Sequence, residues 1–117
     1  MAKIYHLSTC KTCQKVLAQL ADAKKLEQQD IKTESITPEQ LDAMAALAGS
    51  YEALFSRRAM KYRSMGLADQ DLTEADYRRL ILEEYTFLKR PVVLVDGEIF
   101  IGSAKKAVAG AKEALGV

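Results

Sequence analysis

The chain has 117 residues, of which 49% are hydrophobic and 28% are charged. This is the composition of a single compact globular domain. Its 17 basic and 16 acidic residues give a net charge of +1, which excludes an overall field that attracts nucleic acid or an anionic membrane. No segment approaches the ~18 apolar residues that span a bilayer, and the N-terminus lacks the apolar core of a signal peptide. We therefore expect a cytoplasmic protein that contacts neither nucleic acid nor membrane.

The first three elements predict a βαβ unit. Residues 3–7, KIYHL, are apolar, aromatic and β-branched, as in a strand. A helix is predicted from Lys11 to about Lys24, because apolar residues recur there at helical spacing. They are Val16, Leu17, Leu20 and Ala21. Residues 27–33 predict an edge strand around Ile31, and a crossover helix between the two strands would make them parallel, with right-handed connection.

A second helix is predicted after Thr37. Thr37 can cap it, Pro38 suits its first position and Gln40 completes a capping box. Gly49 marks the end of this helix. A short helix is then predicted to open at Ser50 and to run through YEALFSRRAM.

A further helix is predicted after Thr73, with Asp76 three residues later. Helical spacing continues to Leu88 with an interruption at Glu84. We expect residues 37–88 to form a helical insertion within a single domain of residues 1–117.

The C-terminal part predicts a hairpin followed by a helix. Residues 92–95 and 98–101 are short strand-like runs separated by Asp96-Gly97, a dipeptide that suits a turn in which both central residues have positive φ. Ser103 is predicted to cap the final helix. The helical residues expected to pack on the sheet are Ala107, Val108, Ala111 and Leu115.

Two cysteines lie between the first strand and the first helix, in HLSTCKTCQK. At a helix N-terminus the unpaired amides and the helix dipole stabilise a thiolate, which lowers the pKa of Cys10. Lys11 and Lys15 would add to this effect. Cys13 lies about one turn further on and nearly on the same face, close enough to form a disulfide with an oxidised Cys10.

Two other interpretations of the cysteines remain open. His6 could supply a third ligand to a zinc ion, but the chain has no second CxxC and no HxxxH pair. The cysteines could also be ordinary buried side chains, since free cysteine is commonly buried. His6, the only histidine, is either a strand residue of the core or a neighbour that favours the Cys10 thiolate when it is protonated.

Two basic segments could contribute to an anion site. The run SRRAMKYR, residues 56–63, is either a solvated face or the source of an arginine that grips a tetrahedral oxyanion. The pair Arg90-Pro91 precedes the hairpin and can be a simple strand start. A cis bond there would place backbone groups beside the cysteine loop, and the sequence leaves the isomer open.

With these residues in view, the chain resembles the ArsC/Spx family, the thioredoxin-like arsenate reductases and their relatives. The resemblance covers nearly the whole length. It rests on KIYHLSTCKTCQK, LFSRRAMKYRSMGL and LILEEYTFLKRPVVLVDGEIFIGS. It implies an α/β fold, with a thioredoxin-like mixed four-stranded sheet and a helical insertion.

The resemblance also implies roles for individual residues. Cys10 would be the nucleophile and His6 its activating neighbour. Arg58 and Arg90 would be oxyanion ligands, with Arg58 favoured over its neighbour because LFSRR resembles the family pattern with arginine in fifth place. Pro91 matches the family's cis-proline. No bound cofactor or metal is implied.

The sequence departs from the glutathione-linked arsenate reductases in two places. The position of Cys13 is commonly serine in those enzymes, so that an intramolecular disulfide becomes possible here. Their third arginine follows the hairpin, where this chain has Gly102, with Lys105 and Lys106 nearby. Both departures are shared with Spx-like regulators, which bind RNA polymerase and use the cysteine pair as a redox switch. Spx proteins typically carry residues beyond the final helix, whereas this chain stops at Val117.

The functional expectation is a thiol-dependent oxidoreductase of arsenate-reductase type. Cys10 would attack arsenate, glutathione or Cys13 would resolve the adduct, and glutaredoxin or thioredoxin would recycle the protein as external reductant. A small disulfide or peroxide is an alternative oxidant. The alternatives to a reductase are a redox-sensing regulator that binds RNA polymerase and a domain with a working disulfide but no oxyanion substrate.

Overall fold

The computed structural model describes residues 2–20, 22–23 and 26–117. These residues belong to two compact units, one formed by Met1–Ser35 with Arg90–Val117 and the other by Ile36–Lys89. The single-domain organisation stays a prediction. None of the helices in the described ranges is long and apolar enough to cross a membrane.

The first unit is built on a mixed sheet. Its strands among the described residues are β1 (Ala2–His6), β2 (Leu26–Asp30), β3 (Val92–Val95) and β4 (Glu98–Ile101). They lie in the order β2-β1-β3-β4. β1 pairs with β2 in parallel, while β3 is antiparallel to both β1 and β4. The predicted mixed four-stranded sheet and its parallel first pair are therefore confirmed.

The core of the first unit lies between the sheet and two helices, α1 (Lys11–Gln19) and α5 (Lys105–Leu115). Each helix turns one apolar face to the sheet, as the 3.6-residue spacing predicts. The buried cluster contains Ile4, Val16, Leu20, Val93, Val95, Val108 and Ala111. Leu115, which was predicted to pack there, lies against this cluster.

The hairpin between β3 and β4 has the predicted turn. Asp96 has a φ of 46° and Gly97 a φ of 85°, so both central residues lie in the left-handed region that this turn requires. Val95 pairs with Glu98 directly across it. The position of the turn is therefore the one that the dipeptide predicted.

Three boundaries in the first unit differ from prediction. α1 ends at Gln19, and the predicted end at Lys24 lies outside the described residues, as does Ala21. β2 ends at Asp30, so Ile31 follows the edge strand instead of centring it, and it is buried there. The residue before α5 is Ala104 with no side-chain cap, so the prediction of a Ser103 cap is wrong.

The second unit contains α2 (Pro38–Ala48), α3 (Met60–Ser64) and α4 (Glu74–Glu83). Complete capping boxes begin α2 at Thr37 and α4 at Thr73, as predicted. Gly49 ends α2. Short 3-10 helices occupy Glu52–Leu54, Leu67–Asp69 and Tyr85–Phe87.

The helix predicted from Ser50 does not form. Its residues are paired with the segment that follows α4: Phe55 forms an isolated antiparallel bridge with Leu88. Ser56 N–H donates to the carbonyl of Phe87 at 2.6 Å, and Lys89 N–H to that of Leu54 at 2.8 Å. Because these long-range bonds take up the backbone groups, a continuous helix cannot form here.

Candidate functional site

The loop between β1 and α1 is held by hydrogen bonds from both sides. Cys10 N–H donates to the carbonyl of Leu7 at 2.9 Å, which makes a tight turn. The side chain of Gln14, on α1, donates to the carbonyl of Ser8 at 2.7 Å. The carboxylate of Asp30, at the end of β2, accepts from Ser8 N–H at 3.4 Å. The loop that carries the first cysteine is therefore fixed at its start.

The contributions of Asp30 and Gln14 were not foreseen from the sequence. Asp30 is the register partner of His6 in the parallel pair, so its carboxylate lies beside the loop that leaves β1. The pKa of Asp30 is lowered, chiefly by its side-chain hydrogen bond with Ser8. Burial acts in the opposite direction, and the amide of Lys32 lowers the pKa further. An acidic residue at the end of the neighbouring parallel strand was the signal that could have identified it.

Cys10 occupies the N-cap position of α1 and is partly exposed. Its desolvation by itself would raise the pKa of the thiol. Hydrogen bonds from the amide and side chain of Cys13, from the amide of Thr12 and from the side chain of Arg90 outweigh desolvation, so the pKa of Cys10 is lowered. These groups favour the thiolate because they donate to its charge.

Cys13 lies in the first turn of α1 and its exposed fraction is 0%. Burial is the largest influence on it and raises the pKa of its thiol to about 11. The hydrogen bond to Cys10 and the charge on Cys10 raise it further, while the Leu7 amide and the charge of Arg90 act in the opposite direction. Cys13 therefore stays a protonated thiol at neutral pH.

The two cysteines are free, and their environments push their pKa values apart. The partly exposed Cys10 is favoured as a thiolate, and the buried Cys13 as a thiol that donates to it. In thiol chemistry the accessible thiolate attacks first. A disulfide on Cys10 could then be attacked by Cys13 after its deprotonation.

Arg90 lies two residues before β3, and its side chain reaches the Cys10 sulfur. The Arg90–Pro91 peptide bond, whose isomer the sequence left open, is cis. The carbonyl of Pro91 accepts from Gly102 N–H at 2.8 Å. The structure thus brings together Arg90, Pro91 and both cysteines within the first unit.

Gly102 has a φ of +87°, a conformation that residues with a side chain rarely adopt. A Cβ atom at this position would meet no other atom within 4 Å. The backbone, and not crowding, therefore favours glycine where the resemblance places a third arginine.

His6 is the last residue of β1 and is buried, with an exposed fraction of 7%. Its carbonyl accepts from Ile31 N–H at 2.9 Å, and its Nδ1 atom has no hydrogen-bond partner among the described residues. The main influences on the pKa of Cys10 come from other groups. The activating role of His6 stays a prediction.

Arg58 belongs to the second unit and is exposed. Its neighbour Arg57 donates to Glu52 at 2.7 Å and to the hydroxyl of Tyr77 at 3.1 Å, whereas the Arg58 guanidinium has no such partner within the described part of the chain. Arg58 is therefore the guanidinium of this pair that is available to a ligand. Its role as an oxyanion ligand stays a prediction.

The zinc interpretation requires at least three metal-ligating side chains that lie close together. In residues 2–20, 22–23 and 26–117 there is no group of three or more His, Cys, Asp or Glu side chains arranged to hold a metal ion. The site geometry is that of two thiols and an arginine.

Comparisons with known proteins show the family and the fold of the chain. The model of the ArsC family matches residues 5–111. The global transcriptional regulator Spx 2 of Bacillus anthracis is 25% identical over 105 residues, which are 87% of this chain and 79% of the regulator.

Two solved structures are similar over almost their whole length. One is an arsenate reductase (ArsC) related protein from Brucella melitensis, 26% identical, with a TM-score of 0.69 over 93% of this chain and 92% of that one. The other is an arsenate reductase from Vibrio cholerae, 20% identical, with a TM-score of 0.81 over 94% and 96% of the two chains; at this identity the likeness concerns the fold, which is the predicted thioredoxin-like one. Since the family model spans most of the sequence, the chain belongs to the ArsC family.

Proposed function

We propose that this protein is a thiol-dependent oxidoreductase of arsenate-reductase type, with Cys10 as the attacking thiolate. The observation that carries the proposal is the asymmetry of the cysteine pair: the pKa of Cys10 is lowered while that of Cys13 is raised to about 11. Membership of the ArsC family and the arsenate reductases among the similar structures support the reaction type.

The proposed reaction begins when the Cys10 thiolate attacks arsenate. A sulfur–arsenic bond forms, and one arsenate oxygen leaves as water after protonation. A second thiol, from glutathione or Cys13, then attacks the sulfur of Cys10 and forms a disulfide. The electron pair of the sulfur–arsenic bond stays on arsenic, which leaves as arsenite. Glutaredoxin or thioredoxin supplies two electrons to reduce the disulfide, and no metal or organic cofactor takes part.

Arg90 and Arg58 would hold the oxyanion in this reaction. A guanidinium makes paired, charge-assisted hydrogen bonds to a tetrahedral anion. Arg90 already reaches the sulfur of Cys10, so it can stabilise the thiolate before the substrate arrives and the anion afterwards. The amides at the start of α1 would add fixed donors to the same charge.

A second candidate function is a redox-sensing regulator that binds RNA polymerase. Two observations favour it: the similarity to the Spx 2 transcriptional regulator of Bacillus anthracis and the φ of +87° at Gly102, which disfavours an arginine at that place. In this role the formation of a Cys10–Cys13 disulfide would change the surface that the polymerase contacts.

Coupled reductase assays separate the two functions. Arsenate-dependent consumption of NADPH is measured once with glutathione, glutaredoxin and glutathione reductase, and once with thioredoxin and thioredoxin reductase. The reductase proposal expects activity in one coupling for the wild type and none for Cys10→Ser. Activity that survives Cys13→Ser assigns the resolving step to the external thiol.

The second candidate function, that of a regulator, is tested by measuring whether the reduced and the oxidised protein bind RNA polymerase. Redox-dependent binding without arsenate turnover in either coupling would replace the reductase proposal. Turnover without binding in either redox state would exclude the regulator.

A further inference from the structure

The outer edge of β4 carries backbone groups that the sheet does not use. β4 is the last strand in the order β2-β1-β3-β4. Val95 and Glu98 flank a two-residue turn, and Val93 pairs with Phe100. In an antiparallel ladder, hydrogen-bonded pairs alternate with pairs that are not hydrogen-bonded. The amides and carbonyls of Ile99 and Ile101 therefore point away from β3. Such an edge is a template for another strand.

The sequence of this edge is symmetric about Phe100, with an isoleucine on each side. If a second copy of β4 lies antiparallel to the first with Phe100 opposite Phe100, Ile99 of one copy faces Ile101 of the other. The outward amides and carbonyls of these residues then pair with each other. A surface that matches itself after a two-fold rotation is what a symmetric dimer requires.

The helix beside this edge has the same symmetry. One face of α5 presents Lys106, Ala109, Gly110 and Glu113, which are spaced three, one and three residues apart along the chain. Two antiparallel copies of this face would place Lys106 opposite Glu113 at both ends, with the small residues Ala109 and Gly110 between them. The small residues allow the two helices to approach closely.

Neither end of this face is neutralised by a residue that the structure describes. Lys106 and Glu113 are exposed and have no ion-pair partner within the described ranges. They lie seven residues apart, about 10 Å along the helix axis, which is too far for them to pair with each other. Their charges are therefore available to a second molecule.

The strand and helix symmetries coincide in space. The ring of Phe100 lies directly on Gly110, where a Cβ atom would be only 2.7 Å from the Phe100 Cε1 atom. The centre of the strand palindrome and the centre of the helix face are thus in contact. One two-fold axis near Phe100 can therefore relate both the two strands and the two helices. A mainly apolar groove of about 650 Å³ runs between β4 and this face of α5.

We propose that the β4–α5 edge is the interface of a symmetric homodimer. Two copies of β4 pair antiparallel around Phe100 and extend the sheet across the dyad. Two α5 helices lie antiparallel beside it, with Lys106 of each copy against Glu113 of the other. The charge complementarity selects a second copy of the chain as the occupant of the groove.

Charge reversal tests the interface by sedimentation velocity over a range of protein concentrations under reducing conditions. In the proposed dimer, Lys106→Glu and Glu113→Lys each place like charges opposite one another at positions 106 and 113, at both ends of the helix pair. Each is expected to raise the dissociation constant of the dimer about tenfold. The double variant Lys106→Glu/Glu113→Lys restores the opposite-charge pairs and with them the wild-type constant.

Lys32→Glu is the matched control. Lys32 is exposed and follows β2, the strand at the other edge of the sheet, and its reversal changes the net charge as much as Lys106→Glu does. It is expected to leave the dissociation constant unchanged. A wild type that stays monomeric up to millimolar concentration would overturn the dimer, and a double variant no tighter than the single ones would overturn this interface.

Amide hydrogen exchange tests the strand pairing separately. The amides of Ile99 and Ile101 are expected to exchange slowly at high protein concentration and fast at low concentration. The amide of Phe100, which faces β3, serves as an internal control that stays protected at both. Fast exchange of Ile99 and Ile101 in a sample shown to be dimeric would refute pairing through β4.

Discussion

The buried thiol of Cys13 donates a hydrogen bond to the sulfur of Cys10, and this contact lowers the pKa of the acceptor while it raises that of the donor. One interaction therefore separates the two cysteines chemically. The protonated Cys13 side chain is thus one of the donors that favour the Cys10 thiolate.

The first prediction concerns the reactivity of Cys10. The rate of alkylation by iodoacetamide, measured against pH, should follow a pKa below the ordinary thiol value of 9.0. Cys13→Ala removes the side-chain donor and should move this pKa upward, whereas Cys13→Ser keeps a donor and should move it less. Equal pKa values in the wild type and Cys13→Ala would show that the Cys13 side chain does not stabilise the thiolate.

The second prediction concerns stability in alkali. The pKa of Cys13 rises from an ordinary 9.0 to about 11 in the folded protein, so between these values the unfolded chain binds fewer protons than the folded one. The contribution of Cys13 is fully present below pH 9 and is lost as the pH rises through 11, by about 3 kcal/mol in total. Urea unfolding at pH 8 and 10.5 measures it.

Cys13→Ala provides the control for this alkaline loss. It should lower the free energy of unfolding at both pH values, because it leaves a cavity. The difference between the two pH values should nevertheless be smaller than in the wild type, in which the thiol titrates. If the free energy of unfolding falls equally between the two pH values in the wild type and in Cys13→Ala, the alkaline loss of stability comes from tyrosines and lysines.

The third prediction separates the arginines. Arg90→Gln should raise the pKa of Cys10, because a donor to its sulfur is lost, and should raise KM for arsenate about tenfold. Arg58→Gln should raise KM without comparable change in that pKa. Arg57→Gln is the matched control, because this guanidinium is engaged by Glu52 and Tyr77. A larger effect from Arg57 than from Arg58 would reverse their assignment.

The fourth prediction concerns Gly102. Gly102→Ala and Gly102→Arg should lower the free energy of unfolding by a similar amount, about 1–2 kcal/mol, because both place a Cβ atom on a backbone with a φ of +87°. Gly102→Asn should lower it less, since asparagine tolerates the left-handed region better. Urea unfolding measures the series, and a Gly102→Arg variant as stable as the wild type would remove this explanation for the missing arginine.

The fifth prediction concerns the loop before Cys10. Asp30→Ala removes the acceptor of the Ser8 and Lys32 amides and should speed hydrogen exchange at Ser8. Asp30→Asn keeps an acceptor and should change this exchange less. Because the loop positions Cys10, the alkylation rate of Asp30→Ala should also fall. Unchanged exchange at Ser8 would show that Gln14 alone holds the loop.

Elements fixed by a few neighbouring residues were predictable from the sequence. The turn at Asp96-Gly97 and the capping boxes at Thr37 and Thr73 form as predicted, because each depends on side chains and backbone within four residues. The family was also recognisable, since its motifs keep their order along the whole chain.

Features that depend on distant residues were not predictable in the same way. The helix expected from Ser50 is replaced by backbone pairing of Phe55 with Leu88, and no local pattern reveals a partner 33 residues away. The raised pKa of Cys13 depends on how completely the fold buries it. For Arg58 the resemblance indicated which arginine to choose, and its role as an oxyanion ligand stays a prediction.

The pairing of β1 with β3 joins strands from opposite ends of the chain. During synthesis on the ribosome, β1, α1 and β2 emerge first but lack the strand that completes the centre of their sheet. Ile36–Lys89 is a continuous stretch and emerges in full before β3 does. The sheet is therefore completed late, so that Cys13 and Thr12 emerge together with Cys10, whereas the contact of Arg90 with the Cys10 sulfur forms only after the whole second unit has been made.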